Sequence, residues 1–461
     1  MKPHQHTTFD GAKTTPNEIM RWAQALTCLH ARIAPRFARP EPRRRALAYL
    51  QGILSDTARK NGWHLAEHAR DATPYGMQRL LSSAVWDADL VRDDLREYVC
   101  EQLGDPQAIL AIDETSFPKR GNKSAGVQVQ YCGTTGQVEN CQVGVFLAYV
   151  SEKGHTLIDR ELYLPLQWME DHQRCREAGI PETVRFQTKC ELAQQMLERL
   201  WKAAIPIAWV VADTVYGGNL DLRNWLEAHA YPYVLAVACD EPVCIQTPLG
   251  RRRVEVREVE ALLLADEDWQ RLSMSDGTKG PRLFDWARVP MLHQWEDDGR
   301  HWLLIRRRLD DPQEMAYYFV FAAPGTSLPV MVKAIGARWH IEEEFETTKE
   351  MGLDHYQVRS WIGWYRHVTL VMLADAFLTS MCAQERIAAK LTLLPATAPL
   401  SAATAARPLL PLTVAELRHL LGQLMWPPPC SMKLVLAWSW WRRCHSGAAS
   451  YFHTKRRLEA G

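Results

Sequence analysis

Ala108-Ile109-Leu110-Ala111-Ile112-Asp113 is an apolar run closed by an acid. Such a run predicts a buried strand that delivers a carboxylate at its end. Ile207-Ala208-Trp209-Val210-Val211-Ala212-Asp213 repeats the pattern. Between the two runs, residues 127–131, 142–150 and 156–164 alternate as strands, with turns at Gly133 to Gly136 and at Lys153-Gly154. Residues 190–203 have helical character. After Asp213 come Gly217-Gly218, a helical segment at 219–229 and a strand at 233–238. The predicted order is therefore one strand, two or three antiparallel strands, a helix, a strand, a helix and a strand.

That order is the order of a ribonuclease-H-like sheet, a mixed α/β fold. In such a sheet the acids ending the first and fourth strands come together, and a carboxylate from a later helix completes the cluster. The later helix is read in Ala337-Arg338-Trp339-His340-Ile341-Glu342-Glu343-Glu344-Phe345-Glu346-Thr347-Thr348-Lys349, which lacks Gly and Pro and precedes Gly352. At the helical period Arg338, Glu342 and Lys349 fall at about 0°, 40° and 20°, a single stripe. Ile341 and Phe345 form a separate apolar stripe for packing. Taken alone, the charged stripe also reads as an ion pair on a solvated face. Asp113, Asp213 and Glu342 together, 100 and 129 residues apart, are the acids that can hold two Mg²⁺ ions roughly 3.5–4 Å apart. Mg²⁺ prefers oxygen ligands and keeps open positions for water and phosphate oxygens; Mn²⁺ is the alternative ion.

The 461 residues carry 54 Lys plus Arg and 54 Asp plus Glu, so no global positive field marks a nucleic-acid binder. Local balance differs. Arg21 to Arg45 holds seven Arg and one acid, Glu41. Residues 431–461 hold six Lys or Arg and one acid, Glu459. Arg251-Arg252-Arg253 and Arg306-Arg307-Arg308 add two patches. Each run also reads as a solubility feature, yet Arg suits phosphate. Eleven Cys without zinc-finger spacing point to reduced thiols. The N-terminus lacks an apolar signal core, and the apolar stretch Leu370 to Met381 is short and broken by Asp375. These features predict a soluble, cytoplasmic protein with no membrane partner. No Gly-x-Gly-x-x-Gly follows a strand, which disfavours dinucleotide binding.

Six segments follow. Residues 1–16 read as disordered, and 17–104 as a helical, basic, DNA-binding domain. The first part of the core is 105–239. An inserted, mainly β module occupies 240–329, with strands at 254–259, 282–290, 301–307 and 316–321. The second part of the core, 330–390, carries helices at 330–351 and 364–387, and 391–461 reads as a linker and basic tail with a short helix at 412–424.

Several motifs in this order resemble bacterial insertion-sequence transposases of the DDE type, in the branch with a Tyr-Arg-Glu-Lys signature and a β insertion. They are Ile112-Asp113-Glu114-Thr115-Ser116-Phe117-Pro118-Lys119-Arg120-Gly121, the run Gly133 to Gly144, and Ala212-Asp213-Thr214-Val215-Tyr216-Gly217-Gly218. Arg338-Trp339-His340-Ile341-Glu342-Glu343 through Lys349, then Gly352-Leu353-Asp354-His355-Tyr356, complete the set. The resemblance runs from roughly Arg36 to the C-terminus. It implies that Asp113, Asp213 and Glu342 are metal ligands, and that Arg338 and Lys349 grip DNA phosphates. It further implies cleavage at terminal inverted repeats, joining to target DNA, and a homodimer on double-stranded DNA in the bacterial nucleoid. Ile335 stands where the signature has its tyrosine. A decayed or domesticated DNA-binding protein of the same fold and a structure-specific nuclease are the other readings. An acid cluster beside phosphate argues against the first.

Other residues have two readings each. Lys119 and Arg120 follow the first acid and read as phosphate contacts or as loop charges. Trp295 and Trp302 read as base-stacking platforms or as packing. Asp354 reads as a partner to the site and Asp159 as structural. Glu343 and Glu344 are rival candidates for the third acid; they point about 100° and 200° away from Glu342 and so cannot share its role with it.

Overall fold

The computed structural model describes residues 14–277, 280–392, 411–427 and 431–459. Expectations for 1–13 and for 393–410 of the linker lie outside the described residues. The chain divides into two compact units. One comprises the described residues of Met1–Asp87 and Gln384–Gly461, and the other is Ala88–Ala383.

In the second unit, β1 (Ile109–Pro118) lies at the centre of a large sheet. Both faces of its first half are buried, as the apolar run requires. β1 pairs antiparallel with β3 (Gln137–Ser151), and β3 pairs antiparallel with β4 (Gly154–Tyr163). On its other edge β1 runs parallel to β5 (Trp209–Ala212), which runs parallel to β6 (Tyr233–Val237). The order β4-β3-β1-β5-β6, with these directions, is a ribonuclease-H-like core. β2 (Gln128–Cys132) extends the far part of β3 as a hairpin.

Three expectations change. First, β1 does not end at Asp113. It continues to Pro118 because β3 stays paired with it, and Asp113 faces Phe146 across the ladder. What stops near Asp113 is the pairing with β5, whose last partners are Ile112 and Ala212.

Second, residues 240–329 do not stand wholly apart from the core sheet. β7 (Pro242–Thr247) and β8 (Gly250–Glu255) form a separate hairpin. β12 (Met315–Phe321), β11 (His301–Arg307), β10 (Gly280–Pro290) and β9 (Gln270–Gly277) instead join edge to edge onto β6. Alternation marks a strand but does not name its neighbour. The strand expected at 254–259 gives way after Glu255 to helical turns.

Third, the helix expected at 330–351 is two helices, Leu328–Gly336 and Trp339–Glu350. At the joint the amides of Ala337 and Arg338 bond back three residues, to Ala334 (3.1 Å) and Ile335 (3.1 Å), in a tightened turn. Gly336 allows this approach, since a Cβ there would stand 1.9 Å from the Met274 carbonyl oxygen of β9.

The helices cover the sheet by their apolar faces. Ile341 and Phe345 are buried, and the Phe345 ring meets Phe146 of β3 at 5.5 Å, as the apolar stripe predicted. Helix Ala88–Leu103, read from sequence with the N-terminal helices, lies in the second unit. Helix Trp361–Thr392 begins before the expected 364. Its part Trp361–Ala388 has the length and hydropathy of a membrane span, but 94% of its apolar window is buried in the protein. Asp375 takes the Thr156 hydroxyl of β4 at 2.6 Å, and Thr369 accepts from Arg160 at 3.0 Å.

In the first unit, Pro16–Ile33 buries Ile19, Trp22 and Leu26, and Thr15 caps it reciprocally with Glu18. Much of the C-terminal region is helical here rather than a free tail. Helices Val414–Leu424 and Met432–Glu459 belong to this unit. Trp438 is buried and donates to the Asp71 carbonyl at 3.0 Å, and Arg442 pairs with Glu67 at 2.5 Å.

Asp159 of β4 is fully buried and takes Arg199 twice, at 3.1 and 3.0 Å, with Arg96 at 3.5 Å and Arg92 at 3.8 Å. Burial alone would raise its carboxyl, but Arg199, Arg92 and Arg96 together hold it below its ordinary value. Asp159→Ala strips these guanidinium groups of their shared acid. We expect a loss of about 3–5 kcal/mol, read from urea unfolding at pH 7.

Candidate active site

Asp113 and Asp213 each stand one residue past the last β1–β5 pair, Ile112 and Ala212. They therefore share the point where the parallel pairing stops, Asp213 past the end of β5 and Asp113 midway along β1. This is the carboxyl side of the paired segment, where open α/β sheets place their ligands. Asp213 accepts the Val215 amide at 2.9 Å and so caps the short helix Thr214–Gly217. That turn lies tight on β6, for a Cβ at Gly217 would fall 1.8 Å from the Ala236 carbonyl oxygen. Asp113 accepts the Glu114 amide at 2.8 Å.

Helix Trp339–Glu350 brings in the third acid through Arg338. The guanidinium Nη1 lies 3.4 Å from Asp113 Oδ2, and Nη2 lies 2.5 Å from Glu342 Oε1. Arg338 thus bridges a strand acid and the helix acid, as the shared stripe of Arg338 and Glu342 allowed. The charges of Asp213 and Arg338 both act on Asp113, and Glu342 is reached through Arg338.

The carboxylates repel. Burial raises the Asp113 carboxyl to about 7, and Asp213 adds to the rise while Arg338 opposes it. Burial also raises Asp213, followed by the charge of Glu114. The site concentrates negative charge around carboxylate oxygens, and this donor set suits hard divalent cations such as Mg²⁺ or Mn²⁺.

Glu114 is the neighbour that sequence reading passed over. Its Oε1 takes Lys189 at 2.5 Å, and its Oε2 takes the buried Tyr216 hydroxyl at 2.7 Å. The signal was present in the adjacent acids Asp113-Glu114 and in Tyr216 three residues after Asp213. Nothing in the sequence joined Lys189 to them.

The remaining cations lie elsewhere in the unit. Lys349 donates to Thr134 Oγ1, 2.9 Å away in the turn between β2 and β3. Lys119 sits 3.5 Å over the Tyr356 ring. Burial lowers the Lys119 amine to about 8, against the opposing charge of Asp354. Burial likewise lowers Lys349, with Asp354 again opposing. Lys119 and Lys349 thus share the charge of Asp354. Arg120 is exposed in the loop after β1.

Neither rival acid faces the cluster. Glu343 takes His340 at 2.9 Å on the outside. Glu344 is buried, and its carboxyl is raised by burial and by Asp375.

A cleft of about 430 Å³ opens beside Asp213 and Arg338, and Ile335 lines it at the signature tyrosine's position. Across it Arg282 stacks 4.4 Å over Trp339, and Arg306 stacks 4.5 Å over Phe284. Trp295 and Trp302 do not line it. Trp295 is exposed, and Trp302 carries Arg288 at 4.3 Å. The aromatic lining was missed because the strands of 240–329 were not known to continue the core sheet.

The strand order and directions of the sheet define a ribonuclease-H-like core. The chain belongs to the DDE superfamily endonuclease family, whose sequence pattern matches residues 32–281. The match includes Asp113 and Asp213 and ends before Glu342. A probable transposase for insertion sequence element IS701 from Microchaete diplosiphon is 29% identical over 174 residues, 37% of this chain and 43% of that relative. The chain therefore matches less than half of that relative's length. Among solved structures, a piggyBac transposase synaptic complex with hairpin DNA aligns over 86% of this chain and 77% of its own, at 12% identity and TM-score 0.37. The NurA nuclease from Sulfolobus solfataricus aligns over 56% of this chain and 86% of its own, at 9% identity and TM-score 0.26.

Asp113 binds its proton more tightly folded than unfolded, so this contribution to stability is full below pH about 4 and is lost as pH rises through about 7. In chelator-treated protein, Asp113→Asn should therefore raise stability, and by about 1–3 kcal/mol more at pH 8 than at pH 5. Denaturant melts at the two pH values measure the difference.

Proposed function

We propose that this chain is a DNA transposase that cleaves the ends of an insertion sequence and joins them to target DNA. The observation that carries the reading is Arg338, whose guanidinium reaches both Asp113 and Glu342 beside the end of the β1–β5 pairing, where Asp213 also stands. The IS701-element relative supports it. Asp113, Asp213 and Glu342 would hold two Mg²⁺ or Mn²⁺ ions. Bound there, the metal supplies Lewis-acid activation of the attacking oxygen and neutralises charge at phosphorus. End hydrolysis and strand transfer are both in-line attacks on phosphorus, so one site serves both.

The protein's own side chains position the strand. Arg338 presents a planar fork of N–H donors to a phosphate beside the acids. Lys349 and Lys119, together with exposed Arg120, add further phosphate contacts. The arginine and aromatic faces of the cleft suit phosphates and unpaired bases. Double-stranded DNA with terminal inverted repeats is the partner, and pairing two ends calls for a homodimer on DNA. The Arg-rich 21–45 segment binds the ends.

A labelled duplex carrying the element's flanking repeats, incubated with Mg²⁺ or Mn²⁺, tests this. Wild type should nick at the repeat end. Glu342→Ala should lose about 10²–10³-fold or more of that activity while still shifting the duplex in a gel. Nicking that survives the substitution would remove Glu342 from the site. Binding without nicking under either metal would make this a DNA-binding protein of the same fold. Nicking without strand joining would make it a nuclease.

A further inference from the structure

A second cluster of metal-ligating side chains lies outside the acid centre, where the 291–300 loop meets the core. Glu227 stands near the end of helix Leu220–Ala228, and His301 opens β11. His293 sits in the loop that joins β10 to β11 and forms an isolated bridge with Glu296. The Nδ1, Nε2 and carboxylate oxygen positions of Glu227, His293 and His301 converge to within 4.8 Å of one another.

The hydrogen bonds around His301 show why a cation fits between them. Asp298 is fully engaged. Its Oδ1 accepts the amides of Arg300 (2.9 Å) and His301 (3.2 Å), and its Oδ2 lies 2.8 Å from His301 Nδ1. A carboxylate has no proton to give, so Nδ1 carries the hydrogen and donates. In the neutral ring that leaves the lone pair on Nε2. Nε2 is buried, lacks hydrogen-bond geometry to any partner, and lies 3.3 Å from Glu227 Oε1. The same Glu227 oxygen is held by the Tyr233 hydroxyl at 2.7 Å.

A lone pair facing a carboxylate oxygen is repulsive, so either a proton on Nε2 or a bound cation sits between them. Burial opposes a charged ring, while Glu227 and Asp298 on either side raise its proton affinity above the ordinary value. The two acids show that the gap favours positive charge. The His293 ring stacks on His301 at 4.5 Å and 12°, which adds a second imidazole on the same side. The turn that carries His293 is held in a conformation L residues rarely adopt, with Gln294 at φ 50° and Trp295 at φ 68°.

We propose that Glu227, His293 and His301 bind a borderline-soft divalent transition ion of the Zn²⁺ class, which clamps the 291–300 loop to the core. Two imidazoles and one carboxylate are a zinc-type donor set, and a hard ion such as Mg²⁺ prefers all-oxygen shells. Asp298, His301 and the ion form the carboxylate–histidine–metal relay that fixes the tautomer and orients the ring. Tyr233 orients Glu227 in the same way. Tetrahedral ligands with 2.0–2.1 Å bonds stand about 3.3 Å apart, the separation already present between His301 Nε2 and Glu227 Oε1. Binding turns the His293 ring out of its stack on His301 to aim its nitrogen at the ion. The fourth position remains for water.

The test uses the full chain, stripped with chelator, dialysed and titrated with Zn²⁺ against a chromophoric competitor. The account predicts one tight equivalent that persists in a chain carrying Asp113→Asn, Asp213→Asn and Glu342→Gln. His293→Ala should abolish it or weaken it more than about 100-fold, with the circular dichroism spectrum unchanged. Asp298→Asn should weaken it by about 10–100-fold. Cobalt-loaded wild type, which needs no variant to fold, should show visible bands of a nitrogen- and oxygen-ligated ion. A thiolate charge-transfer band would place the metal on cysteines and overturn the proposal. So would binding that survives His293→Ala, or no stoichiometric ion at all, which would leave His301 as a protonated clasp between Glu227 and Asp298.

Discussion

The parallel pairing of β1 with β5 is the constraint on which the site rests. It sets Asp113 beside Asp213, each one residue past the last parallel pair. Burial raises the proton affinity of both carboxyls, with Asp213 adding to the rise at Asp113 and Glu114 to that at Asp213. Active sites commonly carry such strain at the expense of stability. The surrounding structure supplies the counterweight. Buried hydrophobic strands hold the sheet, the Asp159–arginine network ties β4 to its neighbours, and Arg338 offsets part of the charge.

The helix that brings Glu342 depends on a second device, a break. One straight helix from 328 to 350 would carry Arg338 and Glu342 along a single axis. Instead, Gly336 lets the first helix press against Met274 of β9, and a tightened turn redirects the chain into Trp339–Glu350. Ile341 and Phe345 then seat the second helix on Phe146, directly across the β1–β3 ladder from Asp113. The apolar face therefore sets the position of the charged face.

Much of this was legible from sequence. The apolar runs ending in Asp113 and Asp213 located the two parallel strands, and helical spacing separated Arg338 and Glu342 from Ile341 and Phe345. Helical spacing left Glu343 and Glu344 as rivals to Glu342, and burial of Glu344 beside Asp375 together with the Glu343–His340 pair turns both away. What escaped the sequence depended on tertiary partners. The helix break needs Met274, some sixty residues earlier in the chain. The split of Lys349 from Arg338 needs Thr134 in a distant turn. The tie of Glu114 to Lys189 and Tyr216 joins three separate elements. The extension of the sheet by β9 to β12 shows the same limit, since an alternating strand reveals which face is buried but not which edge it joins.

The central claim is that Asp113, Asp213 and Glu342 form one divalent-metal centre. Electron paramagnetic resonance of the Mn²⁺-loaded protein with DNA tests it most directly, because two ions roughly 3.5–4 Å apart are spin-coupled. The account predicts a coupled pair in wild type that collapses to an uncoupled signal, or is lost, in Asp213→Asn and in Glu342→Gln. A coupled signal that persists in both variants, or wild type that binds no Mn²⁺, would contradict it.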